Sequence, residues 1–128
     1  MNSRHPGRIA GTKSEKEMAV FILSILLEGG YSETDVSVTS FVIPNSVPAM
    51  EESGHNYDGG EKGSLSQNIE VIKRGKCEKT IIVGAHYDSV GTHGVDDNAS
   101  GVSVVLESTL RMIDSQIHYT IRYVFFWL

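Results

Sequence analysis

The second half of the chain carries three side chains of metal-ligand type: His86, Asp88 and Asp97. A histidine that ends a buried strand can direct one ring nitrogen into a cleft, where zinc binds such nitrogens at about 2.0–2.1 Å. Its other ring nitrogen then needs an acceptor, and Asp88 points to the same side of an extended chain. Asp97 can offer both carboxylate oxygens, which suits a bridge between two ions about 3.5–4 Å apart. The pattern predicts a metal site.

Each part of this pattern also has a simpler explanation. A His-x-Asp sequence occurs by chance in many proteins, and Asp97 with Asn98 could cap the next helix, since both side chains accept bonds from free N–H groups. Placement favours a site, because ligand-binding groups of open α/β sheets gather at the carboxyl ends of parallel strands. His86 directly follows an apolar run, and Asp97 precedes an amphipathic segment.

The elements that must position these residues are predicted from periodicity. Ser14 with Glu17 forms a capping-box pattern, which predicts a first helix over 14–28. Alternating polar and apolar residues predict strands over 35–43 and 68–73. These two strands are expected to form an antiparallel pair.

The rest of the chain predicts a strand–helix–strand unit. The β-branched run 80–85 is typical of a strand buried on both faces. Apolar residues three and four apart predict a helix over 97–114, and 119–128 is a further strand. A glycine-rich loop is expected over 45–65. Such a unit implies a parallel strand pair, so we expect an α/β fold with three layers around a mixed, mainly parallel central sheet.

Composition excludes several function classes. The chain has 128 residues, 40% of them hydrophobic, which fits one soluble globular domain. The net charge is -5 with no basic cluster, which argues against nucleic-acid binding. The longest apolar run, Met18–Leu27, is half of the roughly 20 residues that cross a bilayer, so we expect no membrane-spanning segment. The single cysteine, Cys77, excludes an internal disulfide.

Two motifs resemble those of a known family. Gly84–Ser89 followed by Gly94–Gly101 is similar to the paired signature of the co-catalytic zinc aminopeptidases. This family includes secreted bacterial leucyl aminopeptidases and is related to glutamate carboxypeptidase. Further similarity at 5–12, 68–69 and 121–126 extends the resemblance over nearly the whole chain.

The resemblance implies a role for each of the three side chains. His86 would ligate one of two zinc ions, Asp97 would bridge both, and Asp88 would orient His86. The implied protein is a di-zinc metallo-aminopeptidase that releases N-terminal residues from peptides with metal-activated water. Peptides are the implied substrates, and a secreted or extracytoplasmic location is implied as well.

The resemblance breaks off at the end of the chain. In the family, the strand similar to 121–126 leads to a Glu-Glu pair that supplies the general base and a zinc ligand, and two further ligands follow. This sequence ends at Leu128. We therefore expect 1–128 to be the amino-terminal part of a single zinc-peptidase catalytic domain, inactive alone because a catalytic zinc needs about three protein ligands. The truncated sheet is expected to expose an apolar edge at 123–128, through which the chain could self-associate.

Two alternative functions stay open. The first is a non-catalytic, peptidase-like interaction domain, although such a domain has no physical need of His86, Asp88 and Asp97 together. The second is a related di-zinc amidohydrolase acting on acylated amino acids. Those relatives share the His-x-Asp after a strand, but their second motif reads Asp-x-Lys-Gly, which Asp97–Gly101 does not match.

Overall fold

The computed structural model describes residues 12–43, 65–88 and 98–127. These residues form two helices and a four-stranded sheet. In chain order the elements are α1 (Lys13–Glu28), β1 (Val36–Val42), β2 (Leu65–Lys73), β3 (Cys77–His86), α2 (Ser100–Arg111) and β4 (Tyr119–Phe126). The loop predicted over 45–65 lies outside the described residues except for its last position.

Helix α1 forms because its apolar side chains recur on one face. The buried side chains of this face are Met18, Ala19, Ile22 and Leu26. The helix begins after Thr12, whose Oγ1 accepts from the Glu15 N–H at 3.4 Å. The predicted cap at Ser14 is wrong, because Ser14 already lies within the first turn. In the described ranges, no helix combines the length and apolar content needed to cross a membrane.

The sheet has the strand order β1-β2-β4-β3. Strand β2 runs antiparallel to both of its neighbours, whereas β3 and β4 are parallel. Three of the four strands therefore run in the same direction, and α2 connects the parallel pair. The predicted α/β class, the mixed sheet and the strand–helix–strand unit are confirmed.

Both helices cover the same face of the sheet. Buried side chains from three strands join those of α1 and α2 in a single cluster, and on the strands they are Ile69, Val71, Ala85, Tyr123 and Phe125. The opposite face, which we call the open face, carries Ile82 with 66% of its surface exposed. The described residues thus form two layers, a helical layer and the sheet.

Strand β3 differs most from its predicted environment. The prediction that it is buried on both faces is wrong, since Ile81 and Ile82 are 48% and 66% exposed. In the described part of the chain, β3 is an edge strand, and its residue Ile82 lies on the open face. The apolar edge predicted at 123–128 is also wrong, because β4 is paired on both sides by β2 and β3, and the edges of the described sheet are β1 and β3.

Substitutions on the two faces test this one-sided core. We expect Ile69→Ala to lower the free energy of unfolding by about 2–5 kcal/mol, because it empties a fully buried site. Ile82→Ala, the matched control on the open face, should change it by less than about 0.5 kcal/mol. Urea unfolding followed by circular dichroism measures both values. An equal loss for the two variants would contradict the assignment of the open face.

Candidate metal centre

His86 is the last residue of β3, at the carboxyl end of the parallel strand pair. Its partner in the register is Phe126, and the two ring centroids lie 6.5 Å apart. Gly84 leaves room for this aromatic ring, since a Cβ there would come within 3.0 Å of Phe126 Cε1. The local sequence therefore places the imidazole beside Phe126 at the end of the sheet, with 15% of its side chain exposed.

Asp88 contacts the imidazole of His86 through two oxygen atoms. Nδ1 of His86 lies 3.3 Å from the carboxylate Oδ1 and 3.2 Å from the backbone oxygen of Asp88. Because a backbone carbonyl and an ionised carboxylate are both acceptors, this arrangement favours the tautomer with hydrogen on Nδ1 and the lone pair on Nε2. The structure thus brings together the two side chains that the His-x-Asp spacing predicts to meet.

Tyr87 stands between these residues and points into the core. It is fully buried, and its backbone N–H donates to the Phe126 carbonyl at 3.0 Å. Its hydroxyl accepts from the side-chain Nε2 of Gln67 and donates to the backbone carbonyl of Gln67, each at 2.5 Å. Burial raises the pKa of the Tyr87 hydroxyl far above its ordinary value, and the nearby Glu15 carboxylate raises it further. The hydroxyl therefore stays protonated and remains a donor at neutral pH.

A buried carboxylate near this segment was not identified from the sequence. Glu15 is completely buried in the first turn of α1. It accepts from Ser66 Oγ at 2.8 and 3.1 Å and from Gln67 Nε2 at 3.0 Å. The signal that could have found it is its phase: Glu15 lies in line with the buried stripe of α1, where a charge needs hydrogen-bond partners.

Asp97 lies outside the described residues, so its convergence with His86 stays a prediction. Its neighbour Asn98 accepts from the Gly101 N–H through Oδ1 at 3.2 Å, just before α2 begins. Gly101 makes room for this contact, because a Cβ there would lie 2.4 Å from that oxygen. The Asn98 side chain thus satisfies one free N–H of the first turn, although the N-cap residue of α2 is Ala99, which makes no side-chain cap bond. Within the described ranges, no three His, Cys, Asp or Glu side chains are arranged to hold a metal ion.

Comparison with known sequences places this segment in a family. Residues 68–127 match the model of Peptidase family M28. The alkaline phosphatase isozyme conversion protein of Escherichia coli is 27% identical over 134 aligned residues, which cover 93% of this chain and 36% of that protein. A probable leucine aminopeptidase of Trichophyton verrucosum is 33% identical over 96 residues, covering 66% of this chain and 26% of that protein.

Solved structures share the fold. A zinc aminopeptidase from Bacillus subtilis superimposes with a TM-score of 0.73 at 19% identity, covering 94% of this chain and 57% of that one. The glutaminyl cyclase of Tannerella forsythia gives a TM-score of 0.69 at 22% identity, covering 94% of this chain and 40% of that one. At these identities the likeness concerns the fold alone.

The α/β fold is similar to that of zinc aminopeptidases. Residues 68–127, which contain most of β2 and all of β3, α2 and β4, match the model of Peptidase family M28. The predicted resemblance to zinc aminopeptidases is therefore confirmed. The chain spans 36% of the Escherichia coli relative and 57% of the Bacillus subtilis structure.

Two glutamates of α1 test the contribution of the buried carboxylate. Glu15→Ala should lower the free energy of unfolding by about 2–3 kcal/mol, because Ser66 and Gln67 lose a charged acceptor. Glu17→Ala, in the same helix with a side chain 48% exposed, should cost less than about 0.5 kcal/mol. Thermal and urea unfolding of the two variants give the comparison. A Glu15→Ala variant as stable as Glu17→Ala would refute the buried network.

Proposed function

We propose that His86 and Asp97 bind zinc in a metallo-aminopeptidase and that Asp88 orients His86. The observation that carries this proposal is the contact of His86 Nδ1 with Asp88 Oδ1, within the segment that matches the M28 family. Imidazole nitrogen and carboxylate oxygen are both ordinary zinc ligands. When a carboxylate holds Nδ1 of an imidazole, the ring orientation is fixed and Nε2 points in one direction. This suits a metal ligand.

The residues of this chain would bind and orient rather than transfer protons. His86 would supply a neutral nitrogen, and Asp97 would supply oxygens that can reach two ions. Zinc, when bound, acts as a Lewis acid that polarises a carbonyl oxygen and makes water more acidic. Asp88 would hold the hydrogen of His86 on Nδ1 and so leave Nε2 as the ligand atom.

The substrate class is proposed from the relatives. Several matched proteins are named leucine aminopeptidases, which favours peptides with a free amino terminus. Glutaminyl cyclases share the fold at similar TM-scores, so the fold itself does not select a reaction. The family match over 68–127 favours the peptidase.

Zinc binding tests the physical basis of the proposal. His86→Ala and Asp97→Ala should each weaken Zn²⁺ binding to the 128-residue chain by at least about 100-fold, more than the loss of an outer-shell partner. His118→Ala is the matched control, because His118 is exposed and its ring makes an edge-on contact with Tyr119. Isothermal titration with Zn²⁺ measures the affinities. Equal binding by wild type and His86→Ala would contradict the site.

Substrate turnover then separates the candidate functions. The protein isolated from its own host should release p-nitroaniline from leucine p-nitroanilide in a chelator-sensitive reaction. Cleavage of acylated leucine alone would assign an amidohydrolase, and cyclisation of an N-terminal glutaminyl peptide would assign a cyclase. Zinc binding without any turnover would indicate an interaction domain. The 128-residue chain by itself should not sustain hydrolysis, because His86 and Asp97 are fewer ligands than the roughly three of a catalytic zinc.

We further propose that the chain self-associates through the free edge of β3, which is supported by the exposure of Ile81 and Ile82. Light scattering at increasing concentration should show a species larger than the monomer, and a clean monomer would contradict this.

An extracytoplasmic location is proposed from the family resemblance. Fractionation that finds the protein only in the cytosol would refute it.

A further inference from the structure

A chain of partly buried hydrogen bonds links the start of α1 to the segment that carries His86. Gln67 Nε2 donates to Glu15 Oε1 at 3.0 Å and to the Tyr87 hydroxyl at 2.5 Å. Glu15 belongs to α1, Gln67 to β2, and Tyr87 directly follows β3. We call these three residues the Glu15–Gln67–Tyr87 network.

Chemistry fixes the direction of every bond in this network. The Glu15 carboxylate can only accept, so the amide nitrogen of Gln67 must face it. The second hydrogen of that side-chain nitrogen then points to the Tyr87 hydroxyl. The hydroxyl donates its own hydrogen to the backbone carbonyl of Gln67. Movement of the Tyr87 ring would leave buried polar atoms without partners, which proteins avoid.

This network holds Tyr87, which lies in the chain between His86, the proposed ligand, and Asp88, the carboxylate that would orient it. Tyr87 is anchored at its hydroxyl by Gln67 and at its backbone N–H by the Phe126 carbonyl, 3.0 Å away. The peptide units on either side of it carry His86 and Asp88. The 3.3 Å separation between His86 Nδ1 and Asp88 Oδ1 therefore depends on where Tyr87 is held.

We propose that the Glu15–Gln67–Tyr87 network positions His86 and Asp88, so that residues of α1 and β2 select the tautomer of the His86 ring. None of the three needs to touch a metal, and they act as positioning residues. The effect of the network on zinc binding rests on the proposed function, but the tautomer of His86 is a property of the metal-free protein.

Two buried tyrosines provide a matched test. Tyr87→Phe removes the hydroxyl that donates to the Gln67 carbonyl, whereas Tyr31→Phe removes one that donates to the Thr109 carbonyl at 2.7 Å. Long-range ¹H–¹⁵N spectra of the metal-free chain at alkaline pH, where imidazoles are neutral, report which ring nitrogen of His86 carries the hydrogen. Wild type and Tyr31→Phe should show Nδ1–H alone, and Tyr87→Phe should show a mixture of both tautomers.

Zinc titration provides the second readout. Tyr87→Phe should weaken Zn²⁺ binding by about 10–100-fold, the usual effect of losing an outer-shell partner. Tyr31→Phe should leave it unchanged within about twofold, since it is remote from His86. Glu15→Gln keeps the shape of the side chain but places a donor near Gln67, so it should shift the tautomer in the same direction. It also supplies the test if circular dichroism shows Tyr87→Phe to be unfolded.

The outcomes separate positioning from stability and from metal binding. If Tyr87→Phe and Tyr31→Phe lose similar stability while the His86 tautomer stays as in wild type, the network is merely structural and the proposal is overturned. If wild type binds no zinc, the proposed function fails, yet the tautomer comparison still decides the positioning role. A shifted tautomer with unchanged zinc affinity would also overturn the link to the metal site.

Discussion

A carboxylate removed from water must replace the hydration bonds it loses, and the described part of this protein buries two carboxylates, Glu15 and Asp88. Glu15 and Asp88 are 0% and 2% exposed. Glu15 is satisfied by Ser66 and Gln67, and Asp88 has His86 as a neighbour. In this arrangement the partners of each carboxylate offset part of the cost of removing it from water. The same arrangement places the imidazole at the end of β3.

The fold supplies the remaining constraint through the parallel pairing of β3 with β4. Parallel register sets His86 opposite Phe126 and lets the Phe126 carbonyl bind the Tyr87 N–H. Helix α2 returns the chain to the sheet and packs Val102 and Val105 on the covered face. The site is therefore anchored by elements that are also the hydrophobic core. The open face contributes an exposed cross-strand ion pair, Arg122 with Glu70.

Local patterns predicted the elements well because their causes are local. The stripe of Met18, Ile22 and Leu26 predicts α1, and the contact of His86 with Asp88 follows from extended geometry over two residues. The environment of β3 could not be predicted, because a β-branched run is the same whether neighbouring layers cover it or not. Glu15 was missed because its partners, Ser66 and Gln67, are about fifty residues away in sequence. The ligand role of Asp97 rests on resemblance and awaits measurement.

X-ray absorption at the zinc edge tests the central claim most directly. The zinc-loaded chain should show nitrogen and oxygen neighbours at about 2.0–2.1 Å, with imidazole scattering that disappears in His86→Ala. A sulfur neighbour at about 2.3 Å would assign the metal to Cys77 instead. Such a result, or imidazole scattering that persists without His86, would contradict a zinc centre at the end of β3.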